Sequence, residues 1–444
     1  MSQYRAYPAY KDSGVEWIGQ VPEHWKIAQI KRISALNPRK STLSEEKDSL
    51  CTFLPMEKLR TNAVTLDETR PIHEVYGGYS YFCDGDILIA KVTPCFENGN
   101  IAVANGLVNG IGFGSTEINV LRVNGKGHNR FLYYRLQEEQ FRTIAKSEMR
   151  GTGGLKRVPT DLFESFTIGL PDTDEQATIA ATLDRETARI DALVEKKTRF
   201  IELLKEKRQA LITHAVTKGL DPNAKMKDSG IEWIGQVPEH WEATKLKHVA
   251  AFSGGGTPSK ENPDYWNGCI PWVSPKDMKH EVITDSIDHI TTKGLENSAT
   301  KLIDSGAVLL VARSGILRHT IPVGINNVPV SLNQDMKALS LDETRVRPRF
   351  ILRWVQGLNR SLLGIWAKEG ATVESLEHEY VANTRLPLPD LKEQDAILAT
   401  LDRETARINA LISKAEQSIT LLKERRAAFI TAAVTGQIDL RGKQ

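Results

Sequence analysis

Near the carboxyl end of the chain, apolar residues recur every seven positions within an otherwise polar stretch. This stripe consists of Leu401, Ile408, Ala415, Leu422 and Phe429, with Ile397, Leu411, Ile412 and Ile419 on adjoining positions. An earlier stretch carries the same stripe at Leu183, Ile190, Leu204 and Leu211, although Lys197 interrupts it. A sustained seven-residue period predicts a long helix whose apolar stripe packs against a partner helix.

No proline interrupts either striped stretch. Prolines stand just before each one, at Pro171 and Pro389, where the start of a helix tolerates them. Each stretch can therefore form a helix of about 40 residues, which is about 60 Å long. We expect the two helices to pack against each other as an antiparallel coiled coil. Their other faces carry mixed charge, which fits either a solvated surface or a docking surface for another subunit.

Short apolar runs separated by turn signals fill the rest of the chain. Examples are Asp86–Ala90, Ile118–Leu121 and Ala307–Val311, and helical segments follow near Arg130 to Lys146 and near Arg349 to Lys368. The pattern predicts an α+β fold, with two α+β domains in tandem, separated and followed by the long helices in a pseudo-two-fold arrangement. The predicted boundaries are 1–169 for the first domain, 170–220 for the central helix, 221–387 for the second domain and 388–438 for the C-terminal helix.

The chain also repeats itself in sequence. Lys11–Trp25 and Lys227–Trp241 differ only at Val15 and its counterpart Ile231. The helical block that begins at Leu170 recurs from Leu388 onward, whereas residues 26–169 hardly match residues 242–387. Segments that stay alike must meet the same requirement twice, and segments that differ can meet two different requirements. We therefore expect a pseudo-symmetric frame that carries two unlike working faces.

Composition narrows the class of protein without deciding it. The chain has 444 residues, which favours two or more domains. Its 58 basic and 56 acidic residues argue against a protein that coats DNA by bulk charge, but not against a sequence reader with local basic residues. The four cysteines are widely spaced, which disfavours a zinc site. The polar amino terminus and the lack of a long apolar run lead us to expect a cytoplasmic protein that does not enter a membrane.

The sequence lacks the motifs of common enzymes. Gly254–Thr257 and Gly112–Ser115 lack the Gly-Lys-Ser/Thr of a phosphate-binding loop. No Asp-Pro-Pro-Tyr or Asn-Pro-Pro-Tyr/Phe tetrapeptide, usual in amino-methyltransferases, occurs. His24 and His240 occupy equivalent repeat positions, but no serine, cysteine or metal-ligand set accompanies them. We therefore expect no catalytic residue, no metal site and no cofactor in this chain.

The arrangement resembles the specificity subunits of type I restriction-modification systems over essentially the whole chain. Three neighbouring stretches are similar to the opening of many target-recognition domains in that family: Gly255–Ser259, Tyr265–Gly268 and Ile270–Met278. Two repeated Leu-Pro and Glu-Gln pairs are similar to the family's entry into its helical region: Leu170-Pro171 with Glu175-Gln176, and Leu388-Pro389 with Glu393-Gln394. The first domain carries Asn37–Lys40 in place of the Gly-Thr-Pro opening, which leaves its class of target open.

The resemblance implies a protein that reads DNA and leaves the catalysis to its partners. Each variable domain would read one half of a split target on double-stranded DNA, and the helices would set the spacer between the halves. Two methyltransferase subunits would dock on the helical regions, and motor-nuclease subunits would join them. S-adenosylmethionine, ATP and magnesium would then belong to those partners. A scaffold for two other proteins and an enzyme with a divergent active site are the alternatives.

Side chains suited to reading bases stand at strand ends and loops of both domains, including Glu117 beside Asn119 in the first domain. Arginine and lysine suit guanine, and asparagine and glutamine suit adenine. The candidate DNA contacts are Lys91, Thr93, Asn119, Lys156 and Arg157 in the first domain and Ser274, Lys276, Lys279, Arg313, Arg318, Asn333 and Gln334 in the second. We expect Lys276, Arg313 and Arg318 to contribute most.

The repeated segments supply the candidates for contact with partner subunits. They are Trp17, Trp25, Glu175, Gln176, Arg185 and Arg189 in the first copy and Trp233, Trp241, Glu393, Gln394, Arg403 and Arg407 in the second. The tryptophans have a second interpretation, in which each anchors a loop onto its own domain or helix. The two interpretations are compatible, and the sequence leaves the choice between them open.

Overall fold

The computed structural model of the chain describes residues 4–43, 45–152, 154–368 and 373–442. The chain divides into two compact units. Unit 1 comprises residues 1–197 and 417–444, and unit 2 comprises residues 198–416. Each unit therefore combines one α+β module with one part of each long helix.

The first module extends from Tyr10 to Leu170 and lies in unit 1. Its strands are β1 (Tyr10–Asp12), β2 (Gln20–Pro22), β3 (Lys26–Gln29), β4 (Ser34–Leu36), β5 (Leu50–Leu54), β6 (Leu59–Arg60), β7 (Ala63–Val64), β8 (Thr69–Pro71), β9 (Ser80–Cys83), β10 (Ile87–Ala90), β11 (Ile101–Val103), β12 (Ile111–Gly114), β13 (Ile118–Val123) and β14 (Thr167–Leu170). Its helices are α1 (Ile72–Val75), α2 (Asn129–Arg135), α3 (Glu139–Ser147) and α4 (Thr160–Ser165). The central helix, α5 (Thr173–Lys218), follows.

The second module extends from Met226 to Leu388 and lies in unit 2. Its strands are β15 (Met226–Asp228), β16 (Gln236–Pro238), β17 (Glu242–Lys245), β18 (Ala250–Gly254), β19 (Trp266–Val273), β20 (Val282–Ile283), β21 (Asp288–Ile290), β22 (Val308–Val311), β23 (Val323–Asn326), β24 (Ser331–Leu332), β25 (Met336–Leu341) and β26 (Arg385–Leu388). Its helices are α6 (Thr292–Glu296), α7 (Pro348–Gly357), α8 (Asn359–Trp366) and α9 (His378–Asn383). The C-terminal helix, α10 (Leu391–Val434), completes the described elements.

The two modules share one topology although their sequences hardly match. In the first module, β11-β10-β13-β4 form one sheet and β8-β5-β12-β9 form another, with β5 and β12 parallel. In the second module, β23-β22-β25-β18 repeat the first order, and β21-β19-β24 repeat the parallel pairing between β19 and β24. The sequences can diverge because the sheets require only apolar side chains at corresponding places. Leu88 faces Val120 across the first module, and Leu309 faces Ala338 across the second, all buried.

The helical segments predicted late in each module are each broken into two short helices. In the first module, the backbone at Glu138 is extended between α2 and α3, and its carboxylate accepts hydrogen bonds from the backbone N–H groups of Gln140 and Phe141. This side chain therefore caps α3 and begins a new helix. In the second module, Leu358 separates α7 from α8.

The two long helices pack against each other within each unit. In unit 1, Arg426 pairs with Asp191 at 3.0 Å, so the early part of the central helix meets the late part of the C-terminal helix. In unit 2, Arg208 donates a hydrogen bond to Asn409 at 2.7 Å, so the late part of the central helix meets the early part of the C-terminal helix. This is the pairing of antiparallel helices. The predicted stripe is buried at Leu401, Ile408, Ala415 and Phe429, and the predicted fold class is confirmed.

Each unit has its own hydrophobic core where the module meets the helices. In unit 1, Trp25, Phe131 and Leu183 belong to one buried cluster with Phe429. In unit 2, Trp241, Trp354 and Leu401 belong to the corresponding cluster. Among the described residues, no helix is long and apolar enough to cross a membrane.

Candidate nucleic-acid interface

Four loops of the second module meet at one edge of its sheets. Their contacts are made by backbone groups: Gly256 donates to Leu332 O at 2.9 Å, Asn333 to Val273 O at 3.0 Å, and Ala312 to Asp335 O at 2.7 Å. The indole of Trp272 also donates to Gly256 O at 3.0 Å. These bonds hold the loops that follow β18, β19 and β22 against the loop that precedes β25. We call this meeting point the second junction.

A cavity of 720 Å³ opens at the second junction. Its lining includes four of the predicted DNA contacts: Ser274, Lys276, Asn333 and Gln334. Lys279 shares a neighbouring hollow of 270 Å³ with Lys276. The fold thus brings together residues that lie up to 60 positions apart in the sequence.

Arg313 stands beside this cavity, next to its lining residue Ser314, and Arg318 follows four residues later. Each arginine is held by a carboxylate. The Nε of Arg313 donates to Asp335 at 2.6 Å, and the Nε of Arg318 donates to Glu374 at 2.5 Å. Both guanidinium groups remain more than half exposed. The hydrogen bond between Arg318 and Glu374 lowers the pKa of the carboxylate and raises the pKa of the guanidinium. The pair of Arg318 with Glu374 is therefore charged at neutral pH.

Two predicted contacts of the second module shape the loops instead of facing outward. Ser274 is buried, and its hydroxyl and backbone N–H both donate to the carboxylate of Asp277. Asn333 is also buried, and its side-chain oxygen accepts a hydrogen bond from the backbone of Asp335. Their prediction as direct base contacts is corrected accordingly. Gln334 remains exposed and hydrogen-bonds to the hydroxyl of Thr257.

The first module builds an equivalent meeting point, which we call the first junction. Lys91 donates through its backbone to Glu117 O at 3.0 Å, and Val158 donates to Lys91 O at 2.8 Å. Arg157 reaches the carboxylate of Glu117 through Nε at 2.9 Å and Nη2 at 2.5 Å. The predicted contacts Lys91, Thr93, Lys156 and Arg157 are thereby gathered on two neighbouring loops, beside the loop that carries Glu117. The hydroxyl of Thr93 is already engaged, because it donates to Gly154 O and accepts from the backbone of Lys156.

Asn119 is the exception in the first module. It lies within β13, it is fully buried, and its side-chain oxygen accepts a hydrogen bond from Asn37 at 3.3 Å. Its prediction as a base contact is wrong, because a polar residue near a strand end can satisfy a neighbouring loop as readily as a ligand.

Asp335, the carboxylate of the second junction, was missing from the predicted contacts, although Glu117 of the first junction was among the loop residues that the sequence suggested. Glu117 and Asp335 each stand one residue before the equivalent strands β13 and β25. They are separated by 218 positions, which is also the distance from Leu170 to Leu388. Aligning the modules through their helical blocks therefore provides the signal by which this pair could have been found.

The repeated Glu-Gln pair fastens each long helix to its own module. Glu175 is buried and accepts hydrogen bonds from His24 at 2.7 Å and from the indole of Trp25 at 3.2 Å. Tyr7 donates to the same carboxylate at 2.7 Å, and burial together with this bond raises the pKa of the Tyr7 phenol. We call this group the first clasp.

The second copy builds the same clasp. Glu393 accepts hydrogen bonds from His240 at 2.8 Å and from the indole of Trp241 at 3.0 Å. The prediction of partner contacts at Trp25, Glu175, Gln176, Trp241 and Gln394 is therefore corrected, because these side chains are buried within the chain. The Glu393 side chain is 25% exposed, and its contact with a partner stays a prediction. The second interpretation of the tryptophans holds for Trp25 and Trp241, which are both buried.

The remaining partner candidates lie at accessible positions. Trp17 is 42% exposed and stacks on Phe166 with ring centroids 6.0 Å apart. Trp233 is half-buried beside Trp354 and lines a 610 Å³ groove. Four arginines lie exposed on the long helices: Arg185, Arg189, Arg403 and Arg407. Their contact with partners stays a prediction.

Substituting Gly255 by alanine should displace the loop that forms one wall of the cavity. A Cβ at this position would clash with the backbone carbonyl oxygens of Asn333 and Leu332, and such overpacking costs about 1–3 kcal/mol. Urea unfolding of the variant measures the loss. Gly254→Ala is the matched control, because no atom lies within 4 Å of its added Cβ. Equal stability of the two variants would contradict this close approach.

Metal binding has no visible site in the described ranges. There, no three histidine, cysteine, aspartate or glutamate side chains are grouped as ligands for a metal ion. The described cysteines are free thiols. The chemistry that the junctions offer is therefore hydrogen bonding and charge.

Two α+β modules on paired antiparallel helices, each with a polar junction of its own, define a tandem recognition protein. A sequence profile for the family described as "Type I restriction modification DNA specificity domain" matches the chain twice, at residues 22–203 and 238–421. The chain belongs to this family, and the resemblance predicted from the sequence is confirmed.

Known proteins support the same classification. The specificity subunit of the type I restriction enzyme EcoR124I/EcoR124II from Escherichia coli is 31% identical over 206 residues, which cover 46% of this chain and 48% of that protein. The EcoAI specificity subunit from Escherichia coli is 36% identical over 163 residues, or 36% of this chain and 27% of that protein. These alignments thus span less than half the length of either relative.

A solved structure shares the fold over nearly the whole chain. It comes from work on complex assembly and conformational transition of the type I R-M system, and it covers 94% of this chain and 99% of its own with a TM-score of 0.76. Its sequence is 18% identical, so the similarity concerns the fold.

Proposed function

We propose that this chain is the DNA-reading specificity subunit of a type I restriction-modification complex. Each module reads one half of a split target on double-stranded DNA, and the long helices set the spacer. The observation that carries this proposal is the pair of junctions, which share a frame and differ in their side chains. Such a construction suits two different sequences read by one molecule.

Catalysis and cofactors belong to the partners in this proposal. Two methyltransferase subunits dock on the helical regions and use S-adenosylmethionine, and motor-nuclease subunits bring ATP and magnesium. The chain itself is non-catalytic and acts in the cytoplasm. The family membership supports this division.

Basic residues at the junctions supply the contacts to the DNA backbone. Lys91, Lys156 and Arg150 stand at the first junction, and Lys260 and Lys276 stand at the second. Local cations of this kind neutralise phosphates and position a protein on the duplex, while base contacts supply specificity. The small net charge of the chain is compatible with this arrangement, because the reading surface is local.

Replacing residues 242–387 by residues 26–169 should yield a protein that reads the first half-site twice. Both boundaries fall next to repeated segments, so the clasps and helices are kept. The measurement is genome-wide mapping of methylated adenines in cells that express the chimera with its methyltransferase. The reverse chimera, with residues 242–387 in both positions, is the matched control and should read the second half-site twice. An unchanged motif in an assembled complex would contradict separate reading by the two modules.

A further inference from the structure

Each junction contains an ion pair between an arginine and the carboxylate that precedes the equivalent strand β13 or β25, and these two pairs are alike in exposure. The Arg157 side chain is 48% exposed and its partner Glu117 is 27% exposed. The Arg313 side chain is 52% exposed and its partner Asp335 is 24% exposed. In both modules, then, a half-exposed guanidinium is fixed by a carboxylate that lies deeper in the junction.

In each module, the arginine belongs to a backbone β-bridge between two loops. The two modules place the arginine on opposite members of this bridge. Val92 pairs with Arg157 in the first module, and Arg313 pairs with Ser375 at the equivalent bridge in the second. The carboxylate, in contrast, stands before the equivalent strand in both modules, at Glu117 and Asp335. The same kind of pair thus occurs twice, with its guanidinium supplied from a different side of the bridge each time.

Stability gives little reason for such a repetition. An ion pair exposed to this degree contributes about 0–1 kcal/mol to folding, because water screens the charges. The surrounding loops are also joined by backbone hydrogen bonds, such as those from Ala312 and Arg313 to Asp335 O at 2.7 and 3.1 Å. Binding of a ligand at the surface therefore explains the repeated ion pair better than stabilisation of the fold does.

The pair leaves its outer hydrogen-bonding groups free. Within the described residues, the guanidinium of Arg313 bonds to another side chain through Nε only. Both of its terminal nitrogens therefore have hydrogens available to donate. Arg157 uses Nε and Nη2, which leaves Nη1 and the second hydrogen of Nη2. Each carboxylate oxygen retains acceptor capacity beyond its bond to the guanidinium. The surface of the pair therefore presents two donors beside an acceptor.

This order complements one kind of base pair. In the major groove, a G·C pair presents the acceptors N7 and O6 of guanine, followed by the N4 amino donor of cytosine. An A·T pair places the N6 amino donor of adenine between two acceptors and adds a methyl group. Two donors followed by an acceptor match the first edge and conflict with the second.

We propose that Arg157 with Glu117, and Arg313 with Asp335, each read one G·C base pair, so that each half of the target contains one. This inference rests on the proposed function and names its specificity determinants. The arginine donates to guanine, and the carboxylate holds the arginine in place and accepts from the cytosine amino group. Glu117 and Asp335 thus act on specificity as well as on position.

The test uses the complete complex of this chain with its methyltransferase. Methylated adenines are mapped for wild type and for Asp335→Asn, and competition binding then compares duplexes in which each position of the mapped motif is changed. Wild type should prefer one G·C pair in the half-site of the second module by about 10- to 100-fold over A·T. In Asp335→Asn this preference should fall to below about 3-fold at that position only, and Asp335→Glu should restore much of it. Glu117→Gln should do the same in the other half-site.

Controls separate a reading role from a general loss of charge or fold. Asp264→Asn removes the carboxylate of another exposed ion pair in the second module, with Lys293 at 2.8 Å, and should leave every preference unchanged. If Asp335→Asn fails to assemble, Arg313→Lys decides, because it keeps the charge and removes the paired donors of the guanidinium. Unchanged discrimination in the assembled variant, or a wild-type half-site without a G·C pair, would overturn the inference. A wild-type complex without any defined motif would instead overturn the proposed function.

Discussion

Replacing Glu138 by glutamine should lower the free energy of unfolding by about 3–5 kcal/mol. Glu138 and Arg135 are both almost completely buried and form an ion pair at 2.5 Å. Burial lowers the pKa of Arg135, and the charge of Glu138 opposes this effect. The neutral amide leaves the guanidinium without a counter-charge in the core. It also weakens the cap on α3, because the carboxylate accepts from two backbone N–H groups there.

Urea unfolding followed by far-ultraviolet circular dichroism measures this loss. Glu139→Gln is the matched control, because it makes the same chemical change one position further along the chain, in the first turn of α3. A double variant with Arg135→Met and Glu138→Leu should recover much of the stability, because apolar residues often replace a buried ion pair without loss. A loss for Glu138→Gln no larger than that for Glu139→Gln would show that Arg135 is compensated elsewhere.

Replacing Trp25 by alanine should destabilise unit 1 by a similar amount, about 3–5 kcal/mol. The indole is fully buried in the core of this unit, with its ring centroid 5.9 Å from that of Tyr7. Its removal leaves a cavity and takes away one of the hydrogen-bond donors that satisfy Glu175. The start of the central helix should therefore loosen from the first module.

Trp17→Ala is the matched control for this prediction. Both tryptophans belong to the repeated segment Lys11–Trp25, but Trp17 is 42% exposed and stacks on Phe166 at the surface. Urea unfolding should show a small loss for Trp17→Ala and a large one for Trp25→Ala. Equal losses in the free energy of unfolding would contradict this prediction, because they would mean that the exposed Trp17 stabilises unit 1 as much as the buried Trp25 does.

The architecture was accessible from the sequence because its pattern is periodic and duplicated. The seven-residue stripe predicts the long helices, and Lys197 interrupts it without breaking the helix, because a lysine stem can lie along apolar surface. The break at Glu138 was missed because a cap formed by a side chain within a helical stretch resembles any other surface glutamate. Burial of Glu138 depends on its pairing with Arg135, which no periodicity reveals.

The candidate site was accessible only in part, because its contacts join distant loops. Lys91, Arg157, Lys276 and Arg313 were predicted from residue type at strand ends. The pairing of Arg157 with Glu117 depends on a bridge between segments about 40 positions apart, which requires the sheet order to be known. The repeated Glu175-Gln176 pair was misinterpreted for a different reason. Repetition of a segment shows that the same contacts are needed twice. It does not show whether those contacts are made within the chain or with a partner subunit.

Gln176 and Gln394, which directly follow the clasp residues Glu175 and Glu393, have a consequence for the evolution of such proteins. Gln176 accepts from the backbone N–H of His128 and donates to Pro171 O, and Gln394 accepts from the backbone N–H of Arg347 and donates to Pro389 O. Every one of these partners is a main-chain atom. The hydrogen bonds of the two glutamines therefore do not depend on which side chains the contacted loop carries. A recombination event that exchanges a whole module can therefore keep these backbone contacts between the new module and the inherited helix.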